Sequence, residues 1–179
     1  MMPELDVRCP VPARGGLPIL HSAADGAPPR RPRIAVFSLT GCEGCSLTIL
    51  EQEQELLMLL DAVEIVNFRE IMSGGETEDI DIGFVDGAVS TPHDAAEARR
   101  FRKACRVLVA IGACACLGGV NALKHQQPSP EYRHAVYGDR AIQFPTADAQ
   151  PLSAVVRVDY ELPGCPMVKE EFLAFVTCL

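Results

Sequence analysis

Eight cysteines stand at positions 9, 42, 45, 105, 114, 116, 165 and 178 of a 179-residue chain. Cys42 and Cys45 lie two residues apart in "LTGCEGCSLTIL" (39–50), a glycine-rich turn between a short apolar run and a leucine-rich segment. Cys114 lies in "IGACACLGG" and Cys165 in "ELPGCPM", and glycines flank both. Thiols in such loops offer two chemistries: a redox dithiol at the CxxC pair, or thiolate ligation of a metal group. Four convergent thiolates suit a [4Fe-4S] cluster or a tetrahedral zinc ion. Structural zinc favours two close pairs, whereas here one pair is joined by two single cysteines, with 68 residues between Cys45 and Cys114 and 50 between Cys114 and Cys165. That spacing suits a cluster held by loops of a finished fold. Gly41, Gly44, Gly112, Gly118, Gly119 and Gly164 let backbone approach closely and aim N–H groups at sulfur.

The loops need a scaffold that brings them together. From Arg33 onward, strand-like runs alternate with helical ones. "RIAVFSL", "VEIVNF", "IDIGFVDGAV", "RVLVAIG" and "AVVRVDYEL" read as five buried strands. Between them run a helix over 46–61, with Leu47, Leu50, Leu57 and Leu60 on one stripe, and a second that starts at Pro92. A third follows Ala113 through Leu123, then an insert over 126–152 and a closing helix from Met167. Strict alternation predicts a parallel sheet covered on both faces, and five strands fit the flavodoxin-like doubly wound α/β arrangement. In such a sheet, ligands bind beyond the carboxyl ends of the strands. Cys42 and Cys45 follow the first strand, Cys114 the fourth and Cys165 the fifth, so all four are expected at one edge. Cys105 precedes the fourth strand, at the opposite edge. Cys116 and Cys178 read as small packed side chains, and Cys9 as a free thiol.

Composition narrows the function. A formal charge of -8 argues against nucleic acid or an anionic membrane as partner. No apolar run reaches the ~18 residues of a membrane span. Arg30 and Arg31 precede too short an apolar run for an export signal and read as the solvated lead-in to the first strand. The expected setting is the cytoplasm, with reduced thiols. Residues 1–32, rich in Pro, Gly, Ala and Arg, read as a flexible or partner-wrapping arm before one domain over 33–179. His21, His93, His125 and His134 have no ligand-like spacing, and "EQEQE" (51–55) reads as a solvated face.

With "GCEGC", "GACACLGG" and "PGCP" in that order, each after an expected strand, the chain resembles the small, electron-transfer subunit of nickel–iron hydrogenases over 33–179. The resemblance implies that Cys42, Cys45, Cys114 and Cys165 ligate the proximal [4Fe-4S] cluster, beside a nickel–iron site on a separate large subunit. Only 14 residues follow Cys165, which leaves room for one cluster and is similar to the short small subunits of soluble hydrogenases that feed an NAD(P)-reducing diaphorase. Gly44 and Gly119 stand where oxygen-tolerant relatives place extra cysteines, which implies an ordinary four-sulfide cluster. The homologous subunit of respiratory complex I is the alternative, though its tandem cysteines differ from the spaced pair here. The fold also offers an FMN a place near Thr40, Gly74–Gly75 or Gly87. Two other classes compete: a zinc- or disulfide-braced binding module, and a self-sufficient flavodoxin-type carrier. Neither needs three glycine-lined cysteine loops.

Overall fold

The computed structural model describes residues 30–51, 57, 60–126 and 129–177. Nearly all of the arm, with Cys9 and His21, lies outside the described residues, as do Cys178 and most of the acidic run after Glu51. Five strands form one sheet: β1 (Arg33–Ser38), β2 (Glu64–Phe68), β3 (Ile80–Asp86), β4 (Cys105–Ile111) and β5 (Tyr160–Leu162). Their order is β2-β1-β3-β4-β5, and every neighbouring pair is parallel. This is the flavodoxin-like order, with its reversal between β1 and β3.

Period-two alternation divides each strand between two faces. Ile34, Val36, Ile82, Phe84, Val107 and Val109 pack with Ile49 of α1 (Gly44–Leu50) and Phe172 and Phe175 of the closing helix (Lys169–Thr177). On the other face Ala35, Phe37, Val85, Leu108 and Ala110 meet Ala98 and Phe101 of α2 (Pro92–Ala104) and Ala115 of α3 (Gly112–Leu117). Two further α-helices are described after these, α4 (Ser129–Tyr137) and the closing helix, α5. Phe37 stacks on Phe101 at 3.9 Å between ring centroids, and Phe84 meets Phe172 at 5.2 Å on the opposite face. Every residue of β3 is buried, which suits its largely apolar sequence between Asp81 and Asp86. The start of α2 is a capping box. Thr91 Oγ1 accepts from Asp94 N at 3.0 Å, Asp94 Oδ2 accepts from Thr91 N at 2.9 Å, and Pro92 opens the helix as expected.

Four details differ from the sequence expectation. Leu47 and Leu57 are 49% and 66% exposed, while Cys45 and Ile49, four residues apart, form the sheet-facing side of α1. The fifth strand keeps only its last three residues. Val155, Val156 and Val158 pack on the core outside the ladder, and Asp159 caps the edge of β4, where its carboxylate accepts from Leu108 N at 2.9 Å. The helix after Ala113 stops at Leu117, where Gly118 takes φ 85, and continues as a 3-10 segment, Gly119–Gln126. Arg30 is tied down rather than simply solvated. Its guanidinium bonds both oxygens of the buried Asp81, at 2.7 and 3.0 Å, because a carboxylate at the base of β3 needs a cation.

Cys105, at the start of β4, fills space that Gly83 leaves in β3. A Cβ on Gly83 would stand 2.4 Å from Cys105 Sγ and 3.3 Å from Leu108 Cδ1. Gly83→Ala should therefore lower stability by about 1–3 kcal/mol in urea unfolding. Adding Cys105→Ala should recover part of that loss, whereas an unchanged deficit would show that the thiol is not what the new methyl meets.

Candidate metal centre

The cysteine pair follows β1, and the sheet continues to hold the chain there. Leu39 N donates to Asp86 O at 2.8 Å, and Thr40 exchanges two backbone hydrogen bonds with Ala88, at 3.2 and 2.8 Å. Cys42 is then exposed, Glu43 turns through a left-handed conformation (φ 62), and α1 begins at Gly44 with Cys45 buried in its first turn. Ser38 Oγ and Arg69 hold the Glu43 carboxylate, at 2.6 and 3.0 Å. At the end of β3, the buried Asp86 accepts from Ser46 N and Oγ, at 3.3 and 3.4 Å, and so fixes the start of α1.

The loops after β4 and β5 close on this turn. Gly112, φ 77, joins β4 to α3, and a Cβ there would lie 2.3 Å from Cys45 Sγ. Only glycine serves at that position, for both its conformation and its space. One residue later Ala113 N donates to Gly164 O at 2.6 Å, which binds the Cys114 loop to the Cys165 loop. Gly119, φ 56, would place a Cβ 2.7 Å from Cys114 Sγ. Asn121 Nδ2 donates to Thr40 O at 3.1 Å and stands 3.9 Å from Cys114 Sγ. The three cysteine loops are thus bonded to one another: first to fourth through Asn121, fourth to fifth through Ala113. Cys42, Cys45, Cys114 and Cys165 reach one edge of the sheet as the sequence predicts, with Cys165 exposed before a cis peptide to Pro166.

Burial pushes the Cys45 thiol up to about 12, opposed by the N–H of Met167, with Asp86, Cys114 and Cys42 adding in the same direction as burial. Burial also raises Cys114, again with Asp86, Cys42 and Cys165 nearby and with the N–H of Val120 opposing. The shift marks Cys45 as a buried thiol rather than an activated one. Cys116 and Cys105 are likewise driven to about 12 by burial. Cys116 Sγ donates to Ala110 O at 3.5 Å and is a packed core group. Among the described residues no three His, Cys, Asp or Glu side chains are grouped so as to hold a metal ion. His93, His125 and His134 are exposed.

Three contributors escape sequence reasoning: Ser46, Asp86 and Asn121. Asp86 had a signal, an acid that closes a largely apolar central strand. Of the positions suggested for FMN, Thr40 spends its hydroxyl on Asp94 Oδ2 at 2.8 Å. Gly87 lies against Leu39, and Gly75 against Asn67.

Residues 42–179 match the family described as NADH ubiquinone oxidoreductase, 20 Kd subunit. The chain belongs to this family. Its relatives there include hydrogenase subunits. It is 37% identical over 139 residues to the sulfhydrogenase 2 subunit delta of Pyrococcus furiosus, a match covering 78% of this chain and 58% of that one. Against the NAD-reducing hydrogenase HoxS subunit delta of Cupriavidus necator it is 32% identical over 149 residues, covering 75% and 71%. Among solved structures, a chain of the NAD+-reducing [NiFe]-hydrogenase in the H2-reduced state superposes with a TM-score of 0.74 at 32% identity, over 83% of this chain and 90% of that one. The [NiFeSe] hydrogenase of Desulfovibrio vulgaris Hildenborough shares the fold, with a TM-score of 0.59 at 17% identity over 83% and 59%. The chain thus spans little more than half the length of some relatives. No helix among the described residues is long and apolar enough to cross a membrane.

Gly112→Ala should displace the Cys45 sulfur and strip most of the iron and acid-labile sulfide from the purified protein. Gly138→Ala, where a Cβ meets nothing within 4 Å despite φ 54, should leave both contents unchanged. Full iron in Gly112→Ala would show that this edge does not bind it.

Proposed function

We propose that this chain is the electron-transfer small subunit of a multi-subunit, cytoplasmic nickel–iron hydrogenase, with one [4Fe-4S] cluster held by Cys42, Cys45, Cys114 and Cys165. The observation that carries this reading is the set of three glycine-lined cysteine loops, cross-bonded at one sheet edge. A single zinc ion would draw four sulfurs to one point, whereas a cubane spreads its thiolates over several irons. The backbone N–H groups of Met167 and Val120, already aimed at Cys45 and Cys114, suit a negatively charged sulfur cluster.

When bound, the cluster supplies one-electron transfer between the hydrogen-splitting site of the large subunit and further redox subunits, ending in a diaphorase that reduces NAD(P). This chain contributes placement. It buries Cys45, leaves Cys42 and Cys165 at the surface where a partner's redox centre can approach, and presents apolar side chains beside Cys114. Leu117, Val120 and Leu123 are 69%, 66% and 60% exposed on consecutive turns after that cysteine, as befits a subunit interface. Residues 33–179 form the cluster domain. An FMN has less support, since Thr40, Gly75 and Gly87 already meet other parts of the chain.

The test is anaerobic purification of the tagged chain with its companions, followed by metal analysis and hydrogen-dependent benzyl viologen reduction. Nickel with at least about four irons per chain, and dye reduction that disappears in Cys114→Ala, are expected. Iron without nickel or dye reduction would contradict the hydrogenase reading in favour of the complex I-like alternative.

A further inference from the structure

Asn121 has one neighbour that fixes its orientation and another that gives the orientation a use. Thr40 O, 3.1 Å from Asn121 Nδ2, also accepts from Ala88 N at 2.8 Å, so it is a carbonyl held in place by the extension of β1 against β3. A carbonyl oxygen only accepts, so the amide must turn its NH2 group toward it and its own oxygen away. That NH2 group has a second hydrogen, and Cys114 Sγ lies 3.9 Å from the same nitrogen. Val120, the preceding residue, already directs its backbone N–H at Cys114. Gly119 leaves the space, since a Cβ there would stand 2.7 Å from the sulfur. Three consecutive residues therefore serve one sulfur, and the third also ties it to the loop that carries Cys42 and Cys45.

We propose that Asn121 is a positioning residue that raises the reduction potential of the cluster by donating its side-chain amide to Cys114 Sγ. The inference rests on the cluster assignment above. A donor at a ligating sulfur stabilises the reduced, more negative state of an iron–sulfur centre. Because Thr40 O anchors the amide, the donor cannot rotate away without breaking a bond to the sheet.

The test uses the complete assembly, purified anaerobically, in an EPR-monitored redox titration. Asn121→Asp keeps the side-chain shape but replaces the donor with an anion, and should shift the potential to more negative values. Asn121→Ala should shift it the same way by less. An unchanged potential in both loaded variants overturns the proposal. A wild-type measurement guards against variants that fail to load. Protein labelled with 15N at the asparagine side chain should show 15N coupling to the reduced cluster in ENDOR. The chain's other asparagine, Asn67, is engaged with Glu76 O on the outer side of β2. A loaded wild-type cluster without that coupling overturns the proposal, while a wild type with no cluster would remove the cysteine assignment instead.

Discussion

Parallel strand pairing is the constraint on which the rest of this structure depends. Because β1, β3, β4 and β5 all run the same way, whatever follows each strand is delivered to one edge. The order reversal between β1 and β3 opens that edge at the point where the chain places Cys42 and Cys45. An antiparallel hairpin anywhere among these strands would send one cysteine to the far side. The wide separation of the four cysteines in sequence is thus what a parallel sheet requires of them, since each crossover takes a helix and about a dozen or more residues.

Given that convergence, the chain makes room for sulfur by withholding its own atoms. Gly112 and Gly119 leave out the carbons that would strike Cys45 and Cys114. Asp86 accepts the burial of a carboxylate in order to hold Ser46, and burial raises its pKa, partly opposed by the Ser46 N–H. The same burial raises the pKa of both Cys45 and Cys114. Metal binding at such a site releases protons and couples loading to folding. Such an edge suits a metal group that neutralises several thiolates together.

Much of this was legible in the sequence, for identifiable reasons. β3 and β4 are mostly apolar because they are central, and the capping box at Thr91 and Asp94 follows from local chemistry that needs no tertiary context. The placement of all four cysteines follows from strand order. What escaped depended on long-range geometry. The valines before Asp159 look like a strand, yet they satisfy burial without joining the ladder. The leucines around α1 look like a core stripe, yet the packing of Cys45 and Ile49 against the sheet turns Leu47 outward. Asn121 gives no local signal, because its two partners, Thr40 and Cys114, are 81 and 7 residues away.

The most direct test of the central claim, that these four cysteines hold one cluster, is Mössbauer spectroscopy of the 57Fe-enriched assembly beside its Cys45→Ser variant. A difference spectrum corresponding to the loss of one [4Fe-4S] centre, about four irons, is the predicted result. Identical spectra, with Cys45 replaced and every iron component intact, would contradict it.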